Sequence, residues 1–248
     1  MLPSKVLVGI LTFHKPDYKV TGITRDWLEE HNVRLKGVRR IGSRRTWLTE
    51  LPEGVDYKFF YGTEQKTGKR AGGAIIAPAY ERIPDLPEPH PDEVYLPVGD
   101  SYEHTPHKTQ AMCKYAYTHN YDYLIRVDDD TFMFPRRVFA AMGNWAAHDY
   151  SGSLNGGFIS GFFLILSRRA MRIIGDAPIT SAYDDRWIGD VMKKAGIKPH
   201  PLPAPNRTND KYILDPDDKI DDNAMAVHSC SPRTMELVYR RYKNDVAK

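Results

Sequence analysis

The chain has 248 residues, of which 41% are hydrophobic and 11% aromatic, ample for a globular core and enough for one large α/β domain or two small ones. A formal net charge of +3 shows no global imbalance of the kind that announces nucleic acid. Two distant cysteines, Cys113 and Cys230, are too few for a disulfide framework and lack zinc-binding spacing, so both are expected to be reduced, buried thiols, as suits a cytoplasmic chain.

Along the chain, Val6–Phe13 reads as a first buried strand, because its apolar run is too short for a membrane span or anchor. A chain trimmed of an anchor would read the same. The basic runs Arg39-Arg40, Arg44-Arg45 and Lys66 to Arg70 read first as solvated loops. Tyr57–Tyr61 and Val94–Pro97 are short strands. Between them Ala71 to Pro91 carries five prolines, which excludes a helix or a central strand. Thr105-Pro106 opens a helix over His107–His119, with Ala111, Met112, Tyr115 and Ala116 at helical spacing, and the strand Tyr121–Val127 comes next. Pro135 suits the first turn of a helix over Arg136–Ala147. Gly157–Leu166 is a strand, and Ser167 caps a helix over Arg168–Ile174 that Gly175 ends. Asp184-Asp185 opens a helix with Trp187, Ile188, Val191, Met192 and Ala195 on its apolar face. Pro201 to Asn223 is a polar loop; its Asp215, Asp217 and Asp221 do not form a calcium loop, because Ile220 and Ala226 stand where glycine and glutamate are needed. The strand Ala224–His228 and a final helix from Ser231-Pro232 close the chain.

Strands alternating with helices imply an α/β, Rossmann-like domain with a mostly parallel central sheet flanked by helices. Ligands of such sheets bind outside the carboxyl ends of the strands. Asp128-Asp129-Asp130 lies at such an end, after Tyr123 to Val127. Clustered carboxylates repel unless a cation or hydrogen-bond donors neutralise them. A hard divalent ion that shares its shell with a substrate diphosphate answers that need. The plain alternative is an acidic turn in which Asp130 caps the next segment.

Further pieces share the theme. They are Arg44-Arg45-Thr46-Trp47, Asp100-Ser101-Tyr102 ahead of Lys108-Thr109, Gly156 to Gly161 leading into Leu166-Ser167, Asp184-Asp185 with Gly189, and the late His228. In this order the chain, from about residue 44 to 230, resembles the Fringe and β1,3-galactosyltransferase family of nucleotide-sugar-dependent glycosyltransferases, whose Val-Asp-Asp-Asp-x-Phe element, with its Asp-x-Asp motif, matches Val127 to Phe132 letter for letter. Arg186 and Trp187 depart from the valine and aromatic usual after the acidic pair, and the segment Lys15 to Ser43 is longer than the family leads one to expect. Secretory-pathway members carry a membrane anchor and several disulfides, so a viral or bacterial relative is expected rather than a Golgi enzyme.

The resemblance implies a single GT-A-type domain over 1–248, with about 1–130 as a nucleotide-binding half and about 131–248 as an acceptor and catalytic half. It implies Asp130 and His228 as ligands of Mn²⁺ or Mg²⁺, with Mn²⁺ better suited to a carboxylate and an imidazole. Asp128 would accept from the ribose and Asp129 from the donor sugar hydroxyls, while Lys108 and Arg44 would contact the nucleotide or diphosphate of a UDP-sugar donor. Taken alone, His228 reads rather as a strand-end histidine with a satisfied ring, and Lys108 equally well as a solvent-facing helix lysine. The general base is Asp184 or Asp185. Asp184 also suits a helix N-cap with Tyr183 stapled to Ile188, which leaves Asp185 as the preferred base. Direct attack would invert the anomeric centre. The leading acceptor is a glycan. A hydroxylated base in DNA is the runner-up, and a non-catalytic sugar-binding module is the reading from another class.

Overall fold

Unbroken aliphatic runs become the interior strands, because a strand covered on both faces has no polar side to show. In β1 (Val6–Leu11) all six residues are buried. It lies parallel to β2 (Val55–Thr67) on one side and to β5 (Tyr123–Asp128) on the other, with Val6 opposite both Val55 and Tyr123. The computed structural model describes residues 4–13, 38–67, 79–82, 88–204 and 220–243. The basic residues 68–70, most of the proline-rich stretch and the part of the acidic loop that holds Asp215 and Asp217 lie outside the described residues.

Eight strands form the sheet. β4 (Glu93–Gly99) runs parallel to β2, and the short β3 (Ala79–Arg82) pairs antiparallel with the far end of β2. Beyond β5, β8 (Phe158–Ser167) is antiparallel to β5, β7 (Tyr150–Asn155) is antiparallel to β8, and β9 (His200–Pro201) lies parallel to β7. The expected mostly parallel sheet flanked by helices is present, with antiparallel pairs toward both flanks. Strand β7 has no apolar run to announce it. It forms because a two-residue Gly156-Gly157 turn, with φ of +55° and +97°, folds the chain back onto β8. Positive φ at both turn positions suits glycine and matches the twist of a hairpin.

All five expected helices have counterparts, with different ends and one of them split in two. Helix α1 (Val38–Arg45) was not anticipated, whereas α2 (Thr105–Thr118) carries Pro106 in its first turn as expected. The segment expected as one helix from Arg136 splits into α3 (Pro135–Ala140) and α4 (Met142–Trp145), and at the break the Trp145 indole donates to the Val138 carbonyl at 2.7 Å. Helix α5 (Arg168–Asp176) starts at Ser167, whose hydroxyl accepts from the Ala170 amide. Gly175, expected to end it, lies inside the last turn; the helix stops where Ala177 turns extended before Pro178. Helices α6 (Asp184–Lys194) and α7 (Pro232–Tyr242) complete the set among the described residues, the latter capped by Ser231.

Side-chain alternation divides the core in two. Val6, Val8, Ile10, Ile125 and Val127 join Trp47, Trp145, Met235 and Val238 on one face. Leu7, Leu11 and Leu124 meet Met112, Met171, Trp187 and Met192 on the other. Cys113 and Cys230 are buried in opposite clusters and neither forms a disulfide. Among the described residues no helix is long and apolar enough to cross a membrane.

Candidate active site

Parallel pairing brings the carboxyl ends of β1, β4 and β5 to one edge, and a buried lysine ties them together. Lys108, fully buried on α2, donates from Nζ to the Thr12 carbonyl and, at 2.8 Å, to Asp100 Oδ1. Asp100 Oδ1 also accepts from the Gly62 amide at 3.0 Å, which adds β2 to the junction. Burial lowers the Lys108 pKa against the opposing pull of Asp100. Asp129 is buried and accepts from Thr12 Oγ1 at 2.7 Å, while its amide donates to the Leu11 carbonyl. The tip of β1 is thus fastened to the start of the aspartate turn.

Opposite this turn stands His228. The ribbon of β6 (Phe132–Met133) and β10 (Ala226–Val227) pairs Val227 with Phe132, so His228 emerges beside Asp130. Ser229, at φ +60°, turns the chain so that the Cys230 amide donates to the Asp130 carbonyl at 2.7 Å. The Phe162 ring stacks on the imidazole at 4.6 Å and 11°. Imidazole Nε2 lies 3.3 Å from Asp130 Oδ1 and 3.8 Å from Asp128 Oδ2. Asp128, Asp130 and His228 each offer one ligand atom within 4.8 Å of the others. Two hard carboxylate oxygens with one imidazole nitrogen fit Mn²⁺ or Mg²⁺, so the donor set suits the ion that the resemblance implies.

The electrostatics agree with that fit. Burial, with the like charge of Asp130, pushes the Asp128 carboxyl up to about 6 although Arg126 and His228 oppose it. Burial lowers the His228 pKa, but hydrogen bonding to Asp130 and the charges of Asp130 and Asp128 outweigh it and leave it raised. A carboxyl at about 6 in the fold and at 3.8 when unfolded holds its proton more tightly when folded. Its stabilising contribution is complete below the unfolded value and is lost as pH rises through about 6. The metal-free protein should therefore melt at lower temperature as pH rises from about 5 to 7, and Mn²⁺ should raise the melting point more at the upper end, because ligation needs deprotonated groups. Thermal melts across that range check this; a metal response independent of pH would contradict it.

A second buried group braces the cluster. Arg126, 1% exposed in the middle of β5, reaches Asp128 Oδ1 at 3.0 Å and Asp184 Oδ2 at 2.9 Å through one nitrogen, Nη2. A Cβ at Gly161 would stand 2.7 Å from its Nη1, so only glycine leaves room for the guanidinium. Asp184 also accepts from Thr109 Oγ1 at 3.1 Å. The Lys108-Thr109 pair has a plain purpose: one side chain grips the β1 and β4 ends, the next grips α6. Asp184 is not an N-cap, as the sequence suggested. It is the first residue of α6 after Tyr183, and Arg126 draws its carboxylate inward. Nor does Tyr183 look like a staple, being 54% exposed. Arg126→Met should destabilise the protein by about 3–5 kcal/mol, because it strands buried carboxylates, and pairing it with Asp184→Asn should recover part of that loss in chemical denaturation. No loss in the single variant would contradict the bracing role.

Asp185 differs from its neighbour. It is half-buried, its Oδ1 accepts only the Arg186 amide at 2.7 Å, and burial followed by the Asp184 charge raises its pKa. Tyr102, 70% exposed, stands at the mouth, where burial and then the charges of Asp184, Asp128 and Asp185 raise its pKa. Of the residues expected at the site, Asp128, Asp130 and His228 converge, and Asp185 faces the same acidic field. Lys108 and Arg44 are placed otherwise. Lys108 neither faces solvent, as a lone helix lysine would, nor reaches outward. Arg44 is clamped by Asp92 at 2.9 and 2.6 Å and by Glu93 at 3.3 Å, beside the Phe59 ring. Arg126 and Tyr102 were missed. An arginine inside the apolar run Tyr-Leu-Ile-Arg-Val was the available signal for the first, since a buried charge needs partners.

The fold is GT-A-like, with the candidate site at the carboxyl edge of its sheet. Residues 38–156 match the galactosyltransferase family, so over that stretch the chain carries the pattern that the Fringe and β1,3-galactosyltransferase resemblance led one to expect. Asp184, Asp185 and His228 lie beyond it. Among solved structures, a Desulfovibrio desulfuricans G20 protein assigned as a nucleotide-diphospho-sugar transferase aligns over 97% of this chain and 96% of its own, at 12% identity and a TM-score of 0.51, a likeness of fold. A cytidylyltransferase from Leptospira borgpetersenii (10% identity, 99% and 98% covered, TM-score 0.43) and A197 from STIV (12%, 80% and 81%, 0.39) align more loosely and add nothing to that. No curated protein matches the sequence.

Proposed function

We propose that the protein is an inverting, metal-dependent glycosyltransferase that moves a sugar from a UDP-sugar to a hydroxyl of a glycan acceptor. The observation that carries this reading is the meeting of Asp128, Asp130 and His228 at the carboxyl edge of the sheet. Mn²⁺, or Mg²⁺, held there by Asp130 and His228 with Asp128 as a third donor, would stabilise the charge that builds on the departing diphosphate.

The chain's own residues do the rest. Asp185 takes the proton of the acceptor hydroxyl on Oδ2, which has no hydrogen-bond partner among the described residues. Its raised pKa makes it a stronger base than an ordinary carboxylate, as a general base requires. Asp184 is unsuited to that task because Arg126 and Thr109 hold its carboxylate. Asp128, beside Arg126, is better placed for the cation group than for the ribose. Asp129, fastened by Thr12, reaches a donor sugar only from the floor of the site. Lys108 and Arg44 act as positioning residues, Lys108 through Asp100 and Thr12 and Arg44 through Asp92. The first half of the chain, to about residue 130, then shapes the nucleotide side, and β8 with α6 shapes the acceptor side.

Transfer from an α-linked UDP-sugar, followed by NMR of the anomeric proton, should yield a β-linked product with one UDP released per bond formed. An α-linked product would contradict the direct displacement.

A further inference from the structure

Beside Asp185, on the outer side of α6, lies a cleft of ≈ 620 Å³ that the transfer chemistry leaves without a use. Tyr150, the Gly156-Gly157 turn and Phe158 form one wall, and α6 with the segment after it forms the other. Gly189 lets these walls close up, since a Cβ there would stand 2.6 Å from Phe158 Cβ. The volume falls within the range of about 300–1,000 Å³ for small-ligand sites. Arg186, the residue directly after Asp185, lines the cleft with its guanidinium 5.3 Å from the exposed Tyr183 ring. Tyr150, on the other wall, lies within the field of Asp185 and Asp184. The cleft therefore begins one residue along α6 from the carboxylate assigned as base, which is not itself part of its lining.

Its charge is one-sided. Arg186, Lys193 and Lys198 line it against a single carboxylate, Asp190. All three cations are exposed, and none has an ion-pair partner among the described residues. Concave walls of one sign concentrate ligands of the other, and a neutral occupant would leave three like charges facing one another. Room for a few sugar rings favours an oligosaccharide over duplex DNA, whose specific complexes bury about 1,000–2,500 Å² of protein surface.

We propose that this cleft is the acceptor site and that the acceptor is an acidic glycan, its carboxylate, phosphate or sulfate held by Arg186, Lys193 and Lys198 while a nearby hydroxyl meets Asp185. The assignment of the acceptor rests on the transferase reading above, but the binding it requires can be measured without turnover. Calorimetric titration in the absence of donor would compare uronic-acid disaccharides, their carboxyl-reduced counterparts and phosphorylated disaccharides, at low and high salt. The acidic sugars should bind at least about tenfold more tightly than the neutral ones, and the preference should fade with salt. The arm that binds best identifies the acidic group. Arg186→Ala/Lys193→Ala/Lys198→Ala should remove the preference, and the milder Arg186→Gln should reduce it. Equal binding of reduced and acidic sugars, or an unchanged preference in the triple variant, would overturn the proposal, as would duplex DNA that displaces the disaccharides at lower concentration. Selective acidic binding with no UDP released from UDP-sugars would support the cleft and contradict the transferase reading instead.

Discussion

Asp185→Asn is expected to lower turnover for glycosyl transfer by about 10²–10⁴-fold, the range a positioned general base contributes, while UDP binding stays within about twofold of the parent. The substitution keeps the size of the side chain and the acceptor oxygen that receives the Arg186 amide, so the start of α6 is preserved. It deletes the proton-accepting carboxylate. Asp184→Asn should behave differently, because Asp184 is held by Arg126 and Thr109 and its loss falls on folding stability. The pH profile separates the two further. Asp185 has a raised pKa, so kcat/KM in the parent should fall on the acid side at a pH above the ordinary carboxylate value of 3.8. Near-normal turnover in Asp185→Asn would move the base elsewhere.

Asp130→Ala and His228→Ala should each abolish metal-dependent turnover, and EDTA should do the same to the parent. Outer partners of a metal ligand alone are worth about 10–100-fold in metal affinity, so loss of a ligand should exceed that. The two variants differ structurally. His228 stacks on Phe162 and comes directly after the short β6–β10 ribbon, so its removal opens space beside Phe162, whereas Asp130 sits in a turn. Titration of Mn²⁺ followed by melting temperature should show the parent stabilised and both variants unresponsive, because a ligand that binds only the folded state raises its stability. Full activity of the parent in EDTA would contradict a metal role.

The sheet was legible because its central strands are written as unbroken apolar runs, and Asp128 to Asp130 stood out as charge at the end of one. Strand β7 was not, since Tyr-Ser-Gly-Ser-Leu-Asn becomes a strand only once the Gly156-Gly157 turn lays it on β8. Proximity of His228 to Asp130 could be expected from resemblance but not from spacing, because the two-residue β6–β10 pairing that creates it is too short to announce itself. Lys108 shows the opposite failure. Its place in a helix said nothing of its complete burial, which arises from Asp100 and Thr12 converging from other strands. For Arg126 the signal was present and went unused, and the position of Asp184 became intelligible only through it.

The most direct test is pulsed electron paramagnetic resonance of Mn²⁺ added to the protein with UDP. The arrangement of Asp128, Asp130 and His228 predicts a ¹⁴N coupling from one directly bound imidazole that disappears in His228→Ala. Mn²⁺ bound with no nitrogen in its shell, or a nitrogen signal that survives in that variant, would contradict the account.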